Sequence, residues 1–170
     1  MKPESGDYNP FYHRYISLIG DDDIIEVLEE QKRTSEKFLK TFTEERGNYS
    51  YADGKWAVKE VLGHVIDTER IMAYRALAFA RNEEQSLPGF EQDDYVAESN
   101  FNKRSLIDMI SEFRTVRESN IILFKSFDDE ILKRRGTASE SAVTVLALIY
   151  IIAGHEKHHM NILRERYTNK

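Results

Sequence analysis

Three of the chain's five histidines lie within five residues, in Gly154-His155-Glu156-Lys157-His158-His159. His155 and His159 are four positions apart. On a helix that spacing puts both imidazoles on one face, about 6 Å apart along the axis. Two neutral imidazoles so placed can share one metal ion. The stretch also satisfies His-Glu-x-x-His, in which a helical glutamate is general base to a metal-activated water. Glu156 is therefore a candidate base, with a solvated surface glutamate as the simpler alternative. The protease reading of that motif is set aside. Eleven residues follow His159, and Glu165 among them lies too close to serve as the usual downstream ligand. Lys157 and His158 are polar where the motif normally carries uncharged residues, and no strand is predicted to hold a peptide substrate.

Whatever positions this pair must be a soluble fold of ordinary composition. The chain has 170 residues, 41% apolar and 32% charged, which favours one domain spanning 1–170. There is no cysteine, so thiolate metal sites, disulfides and a cysteine nucleophile are excluded and any metal must be held by His, Asp or Glu. A net charge of −6 argues against nucleic acid as a partner. The longest apolar run, Val143 to Ala153, is about 11 residues, short of the ~20 a membrane helix needs. Met1-Lys2-Pro3-Glu4-Ser5-Gly6 has no apolar signal character. A cytoplasmic protein that does not engage a membrane is the expectation.

Hydrophobic periodicity predicts four long helices. Residues 1–20 read as an aromatic arm, with Tyr8, Phe11, Tyr12, His13 and Tyr15, packed on the domain. Asp21 to Asp23 supply a cap and first-turn charge to helix one, 22–42, with Ile24, Leu28, Ser35 and Leu39 among its inner positions. A polar connection with turn signals at Gly47 and Asp53-Gly54 leads to helix two, 57–81. Residues 82–104 lose the helical period. Helix three follows at 103–127, with Asn102 as cap and Met109, Phe113, Val116, Asn120 and Phe124 on its inner stripe. Asp128 to Lys133 reads as a short extra turn. Helix four starts near Ser139 or Ser141, close to a Thr137/Glu140 capping box, and ends near Arg166. No strand is expected. The reading is all-α, a four-helix bundle.

His64 is the remaining histidine on a predicted long helix, and topology decides whether it can join the pair. In a simple up-down-up-down bundle, helices two and four are parallel. His64 then sits about 10 Å from its helix start, whereas His155 and His159 sit about 21 and 27 Å from theirs. If residues 82–104 instead form a crossover along the bundle, the order becomes up-down-down-up and helix four is antiparallel to helix two. All three imidazoles then fall near one level. About 20 extended residues reach ~70 Å, ample for that crossover. Spacing alone still leaves His64 open between a third ligand and a satisfied core histidine.

Around these positions, Glu60 and Asp67 lie four before and three after His64. Each is a candidate second contact that orients the imidazole, or an ordinary helix-surface polar pair, and Asp67 is also a possible fourth ligand. His158 is about 100° off the 155/159 face and reads as flanking. Trp56 reads as packing the start of helix two. Tyr74, Arg75 and Arg81 read as exposed or interfacial. Phe90 and Tyr95, in the 87–95 loop, are candidates to border a site mouth.

Lys55-Trp56-Ala57-Val58-Lys59-Glu60-Val61-Leu62-Gly63-His64-Val65-Ile66-Asp67-Thr68-Glu69-Arg70 resembles the DinB-like superfamily, in particular its YfiT-like metal-dependent hydrolases. So do Leu87-Pro88-Gly89-Phe90 with Asp93-Asp94-Tyr95, the Ala153 to His159 stretch, and Tyr15-Ile16-Ser17-Leu18 before helix one. The resemblance implies an up-down-down-up four-helix bundle. It also implies a divalent metal, zinc or nickel, on His64, His155 and His159, with open positions for water or substrate. Relatives suggest either metal-dependent hydrolysis of a small molecule or activation of a low-molecular-weight thiol, as in bacillithiol-type S-transferases. A non-enzymatic stress-response binding module is a third option. A homodimer is the family expectation. Ala57 departs from the serine that often caps helix two in relatives.

Overall fold

The computed structural model describes residues 1–168, so the last two positions of the expected 1–170 domain lie outside the described residues. A 3-10 turn, Pro10–Tyr12, runs into α1 (His13–Ile16). Then come α2 (Ile24–Leu39), α3 (Glu44–Gly47), α4 (Val58–Ala80) and α5 (Gln92–Glu98). After a second 3-10 turn, Phe101–Lys103, follow α6 (Leu106–Lys125), α7 (Asp129–Leu132), β1 (Arg135–Ala138), β2 (Ser141–Thr144) and α8 (Val145–Tyr167). The four long helices α2, α4, α6 and α8 build the bundle, and none is long and apolar enough to cross a membrane.

Local chemistry sets their starts. Asp23 caps α2 by accepting from the Ile25 and Glu26 amides, and Thr144 caps α8 by accepting from the Ala147 amide. Ala57 has no side chain to cap α4. Half of a capping box survives instead, because the Glu60 carboxylate accepts from the Ala57 amide at 2.6 Å.

α8 is the axis of the core. Every residue from Val145 to Glu156 is buried, as expected of a helix that is apolar all round over its first half. α4 covers one side of it, α2 another, and α1 a third. The arm can lie so close because position 154 is glycine: a Cβ there would stand 2.2 Å from the Tyr15 carbonyl oxygen. Across the bundle, Asn102 donates to Glu60, Arg117 to Glu69, Lys125 to Glu29, and Tyr167 Oη to the Trp56 carbonyl.

Several expectations need correction. The reading without strands is wrong for 135–144, an antiparallel hairpin pairing Arg135 with Thr144 through Ala138 with Ser141. Its strands are four residues each, too short to show alternation, and its turn residues Ser139 and Glu140 have φ of 50° and 61° without a glycine to signal them. Tertiary contacts hold it: Leu87 bridges to Ala138, and Gly136 packs so close to the Phe79 ring that a Cβ there would collide with it. Helix four therefore starts at Val145, with Thr144 as its cap. α6 is capped by Ser105, not Asn102, which lies in the preceding 3-10 turn. The 82–104 connection contains α5, and the arm contains α1; both are too short to carry a visible period. On α6, Arg117 and Ile121 point inward, while Val116 and Asn120 are only half-buried. Arg75 is buried, donating to the Pro88 carbonyl at 2.7 Å and the Ser139 hydroxyl at 3.1 Å, so it ties α4 to the 87–90 loop and the hairpin.

Candidate metal centre

His64 stands in the second turn of α4, among the buried Val61, Leu62 and Val65. His155 and His159 stand one turn apart on α8, just past its all-apolar half. The structure brings the three together. His155 Nε2 lies 2.9 Å from His64 Nε2 and 3.1 Å from His159 Nε2. One nitrogen from each ring falls within 4.8 Å of the others, which is the one metal-compatible grouping of His, Cys, Asp or Glu among the described residues.

Burial sets the protonation of this cluster. It depresses the His64 pKa to about 4. Burial, then the fields of His64, His158 and Arg14, takes His159 to about 3. His155, buried against both partners, is pushed well below the ordinary value. All three rings are therefore neutral near pH 7, the form that donates a lone pair. Three neutral imidazoles converging at this distance fit a divalent metal of borderline softness. The His155–His64 and His155–His159 nitrogens stand at hydrogen-bond distance, with the donor of each pair set by the ring tautomers.

Aromatic neighbours fix the rings. Trp56 lies tilted against His64 with centroids 4.9 Å apart. Tyr15 meets His155 edge-on at 5.2 Å and His158 at 5.3 Å. His158 flanks as expected, edge-on to His159 at 5.0 Å and outside the converging set. Two cavities open onto the histidines. One, about 400 Å³, has His64, Thr68, His155, Tyr15 and Phe90 in its wall. The other, about 340 Å³, has Trp56, His159 and Tyr167. Asp93 borders both. The 87–95 loop thus reaches the first cavity through Phe90, while Tyr95 packs on Phe90 at 5.4 Å and stays outside it.

Other candidates sit elsewhere. Glu156 is only 1% exposed, and its carboxylate accepts from Arg117 Nη1 at 2.8 Å and from the Ser35 hydroxyl. It is neither a solvated surface group nor one of the converging ligands. Glu60 is engaged by the Ala57 amide and Asn102, as a helix cap. Asp67 lies 3.9 Å from Arg70, outside the ligand group, with its pKa raised by burial.

Sequence reasoning missed the network behind Glu156. Arg117 is fully buried and donates from Nε and Nη2 to the two Glu69 oxygens, both at 2.8 Å. Asn120 also donates to Glu69, at 3.1 Å. Burial alone would lower the Arg117 pKa, but Glu69 and Glu156 more than offset it and raise it. The signal was present: Glu69 lies four after Val65 and three before Met72, and Arg117 four from both Phe113 and Ile121, so each charge interrupts an apolar stripe.

A helical bundle with a largely buried three-histidine cluster between two of its long helices is the class that fold and site define. The DinB superfamily profile matches residues 28–163, and the chain belongs to that superfamily. Among solved structures, YfiT from Bacillus subtilis is similar, with a TM-score of 0.74 at 16% identity over 97% of this chain and 93% of that one. YfiT is described as a probable metal-dependent hydrolase with an unusual four-helix bundle topology, and the likeness at this identity is one of fold. None of the curated proteins compared matches this chain.

Proposed function

We propose that this chain binds a divalent metal, zinc or nickel, through His64, His155 and His159, and hydrolyses a small molecule with it. The observation that carries the reading is the convergence of three neutral imidazole nitrogens, two of them on buried rings and the third on a half-buried one, within 4.8 Å of one another beside an open cavity. Three protein ligands with room for a fourth is a catalytic arrangement rather than a structural one. His64, His155 and His159 would hold the metal, which would supply a Lewis acid and lower the pKa of a water there. The chain's own residues do the rest. Trp56 and Tyr15 hold the ring planes. Burial keeps protons off the ligand nitrogens. Phe90 and Tyr15 wall one side of the cavity against bulk water.

The reading includes an up-down-down-up bundle. Its support is the order of cross-helix contacts: Glu60 with Asn102, just before α6, and Glu69 with Arg117 on it run the same way along α4, whereas His64 with His155 and Trp56, just before α4, with Tyr167 run oppositely along α8. Residues between α4 and α6 then return along the bundle.

Thiol S-transfer is a second reading, favoured by one observation. Two separate cavities reach the cluster, one at His64 and His155 and the other at His159, which suits two substrates. Zinc and nickel titration of the wild type and of His64→Ala, His155→Ala and His159→Ala tests the common core. About one metal per chain is expected for the wild type and loss in each variant. A folded wild type that takes up neither metal removes both enzymatic readings. With metal bound, turnover of ester or amide substrates supports hydrolysis, and transfer that depends on an added thiol supports the second reading. Function that survives His159→Ala with metal lost points to a binding module instead.

A further inference from the structure

Thr68 lies one turn beyond His64 on α4, on the same face, and is 3% exposed. Its hydroxyl is the one buried side-chain polar atom without a hydrogen-bond partner among the described residues. Threonine inside a helix usually satisfies itself by donating to the carbonyl four residues back. Thr34 and Thr115 do so here, to Glu30 and Ser111. Thr68 does not. It lies instead in the wall of the 400 Å³ cavity, between His64 and Met72 on α4 and facing His155 and Ile151 on α8. A buried hydroxyl left without a partner is unfavourable, and this one belongs to a residue of the cavity wall.

We propose that Thr68 is a substrate-binding residue: its hydroxyl donates to the acyl oxygen of a small carboxylic acid derivative seated in this cavity. The neighbours define the rest of that molecule. Met72, Ile151 and Phe90 accept an apolar body, and the cavity has the size of a small-molecule site. Arg14, stacked 4.0 Å over the Phe11 ring at the same cavity, places a cation at its rim that suits a carboxylate form of the ligand. One helical turn between Thr68 and His64 sets the acyl oxygen about 5–6 Å along the axis from the ligand imidazole. This inference rests on the histidine cluster being the functional site, but it concerns the organic ligand and not the metal.

The test titrates phenylacetamide and phenylacetate into the full chain, with and without zinc, and follows backbone amide shifts. Wild type, Thr68→Val and Thr68→Ser are compared. Saturable binding with shifts at Thr68, Met72 and Ile151 is expected. Valine keeps the shape and loses the donor, so affinity falls about three- to tenfold, the worth of one hydrogen bond. Serine stays within about twofold of the wild type on the same argument. Thr68→Val also folds with an unchanged or higher Tm and keeps its zinc. Equal affinity of wild type and valine variant overturns the proposal, because the hydroxyl then serves only a water. Shifts centred on Trp56 and Ile162 overturn it by placing the ligand in the other cavity. Absence of binding by either probe overturns the ligand class. Failure of the metal reading shows separately, as no zinc uptake by any of the three proteins.

Discussion

Replacing Arg117 by methionine tests the largest buried electrostatic element of the fold. Arg117, Glu69 and Glu156 are exposed by 0%, 3% and 1%, so solvent screening does little for any of them. The substitution keeps apolar volume but leaves two carboxylates facing each other with only Asn120, Ser35 and neighbouring dipoles to compensate. Breaking a buried pair in this way costs about 3–5 kcal/mol. A domain of this size has about 5–15 kcal/mol in total, so the variant is close to the limit of folding. At ~2–4 °C per kcal/mol for this length, Tm falls by about 6–20 °C. The control adds Glu69→Gln and Glu156→Gln to Arg117→Met, which removes the uncompensated charge while keeping acceptors for Asn120 and Ser35. If charge desolvation is the cause, the triple variant regains at least half of the loss. Urea denaturation at pH 7 with matched m-values measures both. A single-variant loss below about 1 kcal/mol, or a triple variant no more stable than the single, refutes the reasoning.

Three other outcomes follow from the geometry. The metal-free protein loses stability as pH falls from 6.5 toward about 4, because the unfolded chain gains protons there that buried His64 refuses. The full contribution is present above pH 6.5, each such histidine changes ΔG by up to about 1.4 kcal/mol per pH unit in the window, and His64→Gln flattens the slope in a pH series of melts. Gly154→Ala drives a methyl into the Tyr15 carbonyl, which no rotamer change relieves, so it costs about 1–3 kcal/mol and exposes the arm to limited proteolysis. Trp56, the chain's one tryptophan, lies 4.9 Å from His64, so nickel titration changes its emission with the same end point as metal uptake. His64→Ala abolishes both signals.

How much of this was legible in the sequence differs by element. The four long helices were, because each carries a stripe long enough to show its period. The hairpin was not: its register comes from Leu87, 48 residues before Arg135, and from the Phe79 ring under Gly136. The His155/His159 pair followed from i,i+4 spacing alone. His64 was legible as a candidate, but its meeting with the pair depends on the direction of α8, which local pattern does not encode. Glu156 was misplaced because the residue next to a ligand on a helix points about 100° away from it. That rotation carries it to the α2 and α6 side, where Ser35 and Arg117 wait. Trp56 packs at the start of α4 as its sequence suggests, but nothing local announces its tilted contact with a ring eight positions on.

The adjacency of His155 and Glu156 has a mechanical consequence. From Val145 to Ala153, α8 presents mostly apolar side chains, with the Tyr150 hydroxyl donating to the Met1 carbonyl, and non-directional contacts of that kind can yield a little. Glu156 cannot. A slip of one turn moves it 5.4 Å, well beyond any hydrogen bond to Arg117 or Ser35. The ion pair therefore acts as a register pin one peptide bond from a metal ligand, and it indexes the depth and rotation of His155 and His159 against His64.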